Sequence, residues 1–196
     1  MRIYFDNAAT TPISDHVFQG MVPYLKGNYG NPSSTHQEGR TARAAIECAR
    51  RQVAKSIGAS NAEIVFTSGG TEANNMAIKC AVWDLGVTRI ISSPIEHSCV
   101  YNATKRFQSD KEIEICYVNI DSCGRADLNH LEQLLGNDDQ PTLVTLMHGN
   151  NEIGTLNDIE KIGTLCKTYG AYFHTDTVQT IGHIPIMVDS FYVTFL

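Results

Sequence analysis

The fold class is decided by residues 63–93, which read EIVFTSGGTEANNMAIKCAVWDLGVTRIISS. This stretch opens with a short β-rich run, Glu63–Thr67, and closes with a second apolar run, Arg89–Ser93. Between the two runs, a glycine-containing turn leads into a helix-like segment from Glu72 to Leu85. A strand, a helix and a second strand in this order are typical of α/β proteins, whose neighbouring strands are mainly parallel.

The same alternation continues along the rest of the chain. Asp127 is predicted to cap a helix over Leu128–Leu135, and Asn157 is predicted to cap a helix that runs to Tyr169 and ends at Gly170. The remaining predicted elements are a helix over residues 97–107 and strands over residues 114–118, 142–147, 171–175 and 191–195. We therefore expect an α/β fold with a mainly parallel sheet flanked by helices.

Two more helices are predicted nearer the N-terminus. The clearer one, Glu38–Ile57, repeats apolar residues at three- and four-residue steps and stops at Gly58. Ser14 is predicted to cap an earlier helix that runs toward Leu25. Residues 27–34, which are dense in turn formers, separate the two helices.

The overall charge and the hydropathy pattern exclude several classes of protein. Lys and Arg number 15 against 21 Asp and Glu, so the formal net charge is −6. This acidic balance argues against a generic nucleic-acid-binding surface. No apolar run approaches the ~20 residues that cross a bilayer, and no signal peptide is apparent. We expect a soluble, cytoplasmic protein that binds neither nucleic acid nor membrane.

The cysteines and histidines favour neither disulfides nor a metal site. The six cysteines include no C-x-x-C pair, and reduced thiols are the default in a chain without a secretory signal. His97 and Cys99 are close in sequence, but zinc needs three or four ligands at suitable spacing. We therefore expect no metal.

Four loops follow predicted strands and carry the candidate site residues, because ligands of open α/β sheets bind beyond the carboxyl ends of the strands. They span residues 68–75, 94–97, 147–152 and 174–179. In the first loop, Gly70 and Thr71 stand at a helix N-terminus, where unpaired N–H groups favour a phosphate. An ordinary strand-to-helix turn capped by Thr71 explains the same residues, so the loop alone does not decide between the two.

The other three loops add groups of different chemistry. His97 can stack on an aromatic ring or transfer protons near neutral pH. The adjacent amides Asn150 and Asn151 can bind a phenolic oxygen or a carboxylate, although Asn-Asn is also ordinary turn chemistry. Asp176 at a strand end needs a cationic or donor partner. Pyridoxal phosphate fits all four loops, since it has a phosphate, a pyridinium nitrogen, a phenolic oxygen and a flat ring.

Six segments carry a resemblance to a known family. They are residues 4–12 (YFDNAATTP), 30–34 (GNPSS) with His36, 66–75 (FTSGGTEANN), 96–97 (EH), 150–154 (NNEIG) and 174–179 (HTDTVQ). On these motifs, in this order along nearly the whole chain, the sequence closely resembles the cysteine desulfurases. These enzymes belong to the class V aminotransferase-like branch of the fold-type I pyridoxal-phosphate enzymes.

The resemblance implies a role for each matching residue. Gly70 and Thr71 would hold the phosphate of pyridoxal phosphate, and Asp176 would pair with its pyridinium nitrogen. His97 would stack on the ring and serve as the catalytic acid–base group. Asn151 and Gln179 would lie near the phenolic oxygen. The cofactor-binding residues implied by the resemblance are therefore Gly70, Thr71, His97, Asn151, Asp176 and Gln179.

The resemblance also implies an activity and partners. Members of the family take sulfur from L-cysteine, release L-alanine and hold the sulfur as an enzyme persulfide. The sulfur then passes to an acceptor protein, a scaffold or a sulfurtransferase, for instance in iron–sulfur cluster assembly. Family members are typically homodimers, so a homodimer is expected.

The chain departs from the family pattern at its end. It stops before the Ser-x-His-Lys stretch that supplies the lysine bonded to the cofactor, and before the persulfide cysteine and the arginine that binds the substrate carboxylate. We therefore expect residues 1–13 to be an arm that would join an absent small domain, and residues 14–196 to be an incomplete large catalytic domain. This interpretation predicts that the chain alone is inactive.

Two alternatives stay open. One is a related class V enzyme, such as a selenocysteine lyase or an aminotransferase-like protein with another substrate. The other is a non-catalytic fragment that binds the cofactor or a partner subunit.

Overall fold

The computed structural model describes residues 2–109 and 113–196. The chain divides into two units, residues 1–64 and residues 65–196, and each is described by itself. No helix in the described ranges is both long and apolar enough to cross a bilayer.

The first unit contains two helices, α1 (Asp15–Lys26) and α2 (Gln37–Ile57). The hydroxyl of Ser14 accepts a hydrogen bond from the backbone N–H of Val17 at 3.4 Å, and Gly58 ends α2 in the left-handed conformation with φ of 71°. Both of these predicted helix ends are confirmed. None of the residues of α1 is buried, so this helix removes little apolar surface from water.

The second unit is a parallel sheet flanked by helices. Its strands are β1 (Arg89–Ser92), β2 (Glu114–Tyr117), β3 (Thr142–Thr145) and β4 (Tyr172–His174), and its helices are α3 (Gly70–Trp83), α4 (Ser98–Ser109), α5 (Leu128–Gly136) and α6 (Ile159–Thr168). The strand order is β2-β1-β3-β4, and each of the three pairings is parallel. The predicted α/β fold is confirmed.

Adjacent residues of the central strands pack into two separate cores, one on each face of the sheet. Ile90 and Leu143 lie in the core that α3 and α4 complete, whereas Ile91 and Val144 lie in the core that α5 and α6 complete. Successive side chains of a strand point to opposite faces, so both faces need helical cover. Every residue of β1 and β3 is buried as a result, and the carboxyl ends of neighbouring strands are held at one edge.

Two predicted strands are wrong. Residues 61–63 form a 3₁₀ turn, and residues 64–67 pair with none of the described strands, although Ile64 is extended. Residues 191–195 contain a positive φ of 52° at Tyr192 and contribute one parallel bridge, from Phe195 to His174. An extended segment with apolar side chains becomes a strand only when a neighbouring strand pairs with its backbone N–H and C=O groups. The local sequence does not specify that neighbour.

One predicted helix cap is displaced by a residue. Asp158, and not Asn157, caps α6 by accepting a hydrogen bond from the backbone N–H of Lys161 at 3.1 Å. The amide of Asn157 instead accepts from the backbone N–H of Ala126 at 2.9 Å and donates to the carbonyl of Met147 at 2.8 Å. Asn157 therefore ties the loop before α5 to the end of β3, while the predicted cap of α5 by Asp127 is confirmed.

Candidate functional site

The candidate site lies at the carboxyl ends of β1, β3 and β4. These three strands are neighbours in the sheet and run in the same direction, so the loops that follow them meet at one edge. Each loop carries a residue predicted from the sequence: His97 after β1, Asn151 after β3, and Asp176 after β4. The N-terminus of α3 approaches the same edge.

Asp176 is a buried carboxylate that two hydrogen-bond donors hold in place. Its Oδ2 accepts from the side-chain amide of Asn74 at 2.8 Å, and its Oδ1 accepts from the backbone N–H of Val178 at 3.0 Å. Both donors are neutral. Because an ionised carboxylate can accept about four hydrogen bonds, Asp176 retains acceptor capacity for a cationic donor.

Asn74, on α3, connects Asp176 to a buried histidine. Its Oδ1 lies 3.1 Å from Nε2 of His174, and Nδ1 of His174 lies 2.7 Å from Oγ1 of Thr145. Burial lowers the pKa of His174 to about 4, although the charge of Asp176 acts in the opposite direction. His174 is therefore neutral at physiological pH.

His97 is an exposed imidazole that a cysteine orients. Its Nδ1 lies 2.9 Å from Sγ of Cys99 and accepts from the backbone N–H of Cys99 at 3.3 Å. The same sulfur lies 3.3 Å from Nδ2 of Asn74. The sequence-predicted residues His97 and Asp176 are thereby joined through Asn74 and Cys99.

Glu96 anchors the loop that carries His97. This buried carboxyl accepts from the hydroxyl of Ser93 at 2.7 Å and from the backbone N–H of Met147 at 3.1 Å. Burial raises the pKa of Glu96 to about 7, and the charge of Asp176 adds to this rise; the hydrogen bonds from Ser93 and Met147 oppose it. The loop after β1 is therefore tied to the end of β3.

The N-terminus of α3 offers backbone donors beside Asp176. The first N–H bonded within this helix is that of Ala73, which donates to the carbonyl of Gly69 at 3.1 Å. The N–H groups before it, including those of Gly70 and Thr71, have no intrahelical acceptor, as at any helix start. A Cβ on Gly70 would lie 2.9 Å from Cγ2 of Val178, so the start of α3 and the loop after β4 approach closely here.

The two predicted amide residues, Asn151 and Gln179, have different surroundings in the structure. The side chain of Asn151 donates to Glu152 at 2.8 Å, and Gln179 is half-buried next to Val178. The neighbouring amide Asn150 is buried and donates to the carbonyl of Ile95 at 3.0 Å, so it shapes the loop. A Cβ on Gly149 would lie 3.6 Å from Cβ of Gln179, so Gln179 lies beside the loop after β3, whereas the described hydrogen bond of Asn151 leads to its own neighbour.

Sequence reasoning missed Asn74, His174 and Glu96 as functional residues. Asn74 and His174 stand within the motifs at residues 66–75 and 174–179, but nothing local indicates that they contact one another. Glu96 stands next to His97, and its burial is equally invisible from the sequence. Their position within the matching motifs at residues 66–75, 96–97 and 174–179 is the only local signal that points to them.

The site has groups that could hold a phosphorylated pyridinium compound: hydrogen-bond donors, a carboxylate and an aromatic ring. Backbone donors at the start of α3 suit an anion, the buried Asp176 suits a protonated ring nitrogen, and His97 offers an exposed ring for stacking. Among residues 2–109 and 113–196, no three His, Cys, Asp or Glu side chains are grouped so that they could hold a metal ion.

Comparison with known proteins gives consistent matches. The family model for aminotransferase class-V matches residues 3–196. The cysteine desulfurase IscS of Dictyoglomus turgidum is 46% identical over all of this chain and 49% of its own length. A solved NifS-like protein superposes with a TM-score of 0.90 at 39% identity, covering 98% of this chain and 53% of that chain.

A second solved structure, described as SspA in complex with cysteine, superposes with a TM-score of 0.89 at 35% identity, covering 97% of this chain and 55% of that chain. The chain spans about half the length of the curated relatives it matches.

Proposed function

Because this chain belongs to the aminotransferase class-V family, a family of pyridoxal-phosphate enzymes, we propose that it carries the cofactor-binding part of a cysteine desulfurase. The observation that carries the proposal is the buried Asp176 carboxylate, held by Asn74 at 2.8 Å beside the N-terminus of α3. When bound, pyridoxal phosphate supplies a protonated ring that withdraws electrons from the substrate.

The residues have separate tasks in this proposal. Gly70 and Thr71 bind the phosphate, through backbone N–H groups and the Thr71 hydroxyl. Asp176 keeps the proton on the ring nitrogen, since a buried carboxylate favours a cationic neighbour. His97 stacks on the ring and moves a proton during turnover. Asn151 and Gln179 bind the phenolic oxygen.

The substrate and partners are part of the same proposal. The relatives are named cysteine desulfurases, and one similar structure is described as a complex with cysteine. We therefore assign L-cysteine as the substrate, with release of alanine and transfer of sulfur to an enzyme persulfide and then to an acceptor protein, as in iron–sulfur cluster assembly. A cytoplasmic homodimer is the expected working form.

The first test is cofactor binding by the 196-residue chain. Equilibrium dialysis should find one pyridoxal phosphate per chain, displaced by inorganic phosphate. Thr71→Ala should weaken binding about fivefold through loss of one hydroxyl donor, which corresponds to about 1 kcal/mol. Thr164→Ala is the matched control, because the Thr164 hydroxyl donates only to the Glu160 carbonyl on the exposed side of α6. A chain that binds no pyridoxal phosphate would contradict the proposal.

The second test is turnover. The C-terminal half of the Dictyoglomus turgidum relative is supplied in trans, and alanine release from L-cysteine and from L-selenocysteine is measured. Asp176→Asn should slow release by two to three decades, about 3–4 kcal/mol of transition-state stabilisation, with a much smaller effect on cofactor retention. His97→Ala should also slow release.

Asp158→Asn, which alters the cap of α6 and the ion pair of Asp158 with Lys161, is the control for turnover and should leave it near normal. Near-normal alanine release by both site variants would remove Asp176 and His97 from the roles proposed for them. Release from selenocysteine with none from cysteine would identify a selenocysteine lyase instead.

A further inference from the structure

Asn74 lies at the centre of a hydrogen-bond network that joins Asp176 to His97. It is 4% exposed and contacts His174 at the end of β4, Asp176 after β4, and Cys99 at the start of α4. Three of its four hydrogen-bonding positions are used. Cys99 in turn contacts His97.

The direction of each bond on one side of the network follows from the chemistry of its members. A carboxylate accepts only, so Nδ2 of Asn74 must donate to Asp176, and this fixes the orientation of the amide. Oδ1 of Asn74 therefore accepts from Nε2–H of His174. Nδ1 of the neutral His174 then accepts from the hydroxyl of Thr145.

The other side of the network has a direction as well. The second proton of the Asn74 amide points to Sγ of Cys99, 3.3 Å away. The backbone N–H of Cys99 can only donate, so Nδ1 of His97, 3.3 Å away, is an unprotonated acceptor, and the thiol of Cys99 at 2.9 Å can share the same lone pair as a second donor. His97 therefore carries its own proton on Nε2.

We propose that Asn74 is a positioning residue that holds the Asp176 carboxylate in the orientation needed for a cationic ring nitrogen and, through Cys99, sets the tautomer of His97. The identity of the ligand rests on the function proposed above; the network itself does not. In a buried network, each member is held by its partners, so removal of Asn74 takes one hydrogen-bond partner each from Asp176, His174 and Cys99, which keep their other bonds.

Two ligands isolate the contact between Asp176 and the ring nitrogen. Pyridoxal phosphate and its 1-deaza analogue share the phosphate, the aldehyde and the phenolic oxygen, and differ by a CH in place of the ring nitrogen. The ratio of their dissociation constants reports how well Asp176 engages that nitrogen. The unmodified chain should prefer pyridoxal phosphate, and Asn74→Ala should reduce the preference about tenfold or more, as expected for a charge-assisted hydrogen bond.

Asn157→Ala is the matched control. Asn157 is a half-buried amide whose side chain makes two hydrogen bonds, to the backbone of Ala126 and Met147, and neither of these bonds leads to the network of Asn74. Its removal should lower stability and leave the ratio unchanged. An equal drop of the ratio in both variants would mean that Asn74 acts only through stability.

A spectroscopic measurement tests the network without any ligand. Nitrogen-15 NMR of the imidazoles should find both His97 and His174 in the Nε2–H tautomer at neutral pH. Cys99→Ala removes the thiol and keeps the backbone N–H that donates to Nδ1, so the Nε2–H fraction of His97 should fall while His174 is unchanged. An Nδ1–H tautomer at either histidine in the unmodified chain would overturn the proposal.

The outcomes separate this inference from the proposed function. If the unmodified chain binds the two ligands equally well, or binds neither, the role of Asp176 in the proposed function is wrong. If the preference is present and Asn74→Ala retains it, the inference about Asn74 is wrong and the proposed function stands. Asn74→Leu, which keeps most of the volume but has no hydrogen-bond donor, should also lose the preference and serves where Asn74→Ala does not fold.

Discussion

At the scale of single residues, the site contains two buried groups whose pKa values move in opposite directions. Burial raises the pKa of Glu96 to about 7 and lowers that of His174 to about 4, so both are neutral between these limits. Glu96 contributes stability below its unfolded value of 4.5, and this contribution is lost as pH rises through about 7. His174 contributes stability above its unfolded value of 6.5, and this contribution is lost as pH falls toward about 4.

Glu96→Gln tests the first of these groups. Gln keeps an oxygen acceptor for Met147 and does not ionise, so the variant lacks the cost of a buried charge at high pH. The free energy of unfolding of the variant minus that of the unmodified chain should increase by about 3 kcal/mol between pH 4.5 and about pH 8. Urea denaturation at the two pH values measures it.

Glu132→Gln, at an exposed position on α5, is the control and should show no such difference. A difference for Glu96→Gln that stays constant with pH would mean that Glu96 titrates like an exposed carboxyl.

At the scale of elements, α6 packs closely against the chain segment that follows β4. Gly163, buried on α6, faces the backbone carbonyl of Phe191, and a Cβ at Gly163 would overlap that oxygen. Backbone cannot move aside as a flexible side chain can. This contact holds the segment that supplies the bridge between Phe195 and His174.

Gly163→Ala should therefore destabilise the protein by about 2–3 kcal/mol, because overpacking outweighs the higher helix propensity of alanine. Gly136→Ala in α5 is the matched control: its Cβ would meet Tyr169 at an ordinary 3.5 Å, so a neutral or slightly stabilising effect is expected. Thermal denaturation of the two variants measures the difference. Equal melting temperatures would show that the segment at Phe191 yields freely.

At the scale of the whole molecule, the buried apolar residues are unevenly distributed. Both cores of the described residues belong to the second unit, around β1 and β3. In the first unit, α1 has no buried residue, and large apolar side chains such as Phe5 and Leu25 are 87% and 70% exposed. Little apolar surface therefore opposes local opening of α1.

Hydrogen exchange read by mass spectrometry should reveal this difference. Peptides that cover α1 should exchange orders of magnitude faster than peptides that cover β1 and β3, since exchange in the core strands requires larger openings. Residues 2–5, which are exposed and lie outside any helix or strand, serve as an internal reference for weakly protected amides. Protection of α1 equal to that of β1 would mean that the first unit is stabilised by contacts beyond those described.

Local signals in the sequence determined most of the helices and the class of the sheet, mainly parallel and flanked by helices. Ser14, Gly58 and Asp127 mark helix ends because a cap forms between residues only a few positions apart. The buried strands β1 and β3 are readable as short apolar runs between turns. The placement of His97, Asn151 and Asp176 after strands follows from the same reading, because parallel strands bring their carboxyl ends to one edge.

Only the tertiary structure decided which extended runs become strands and which polar residues meet. Residues 64–67 and 191–195 have strand-like composition, but pairing depends on a neighbour far along the chain, and none of the described strands forms a ladder with them. The contact between Asn74 and Asp176 spans 102 residues of sequence, and that between Asn74 and His174 spans 100. No local propensity encodes such contacts, because they exist only once α3 packs beside β4.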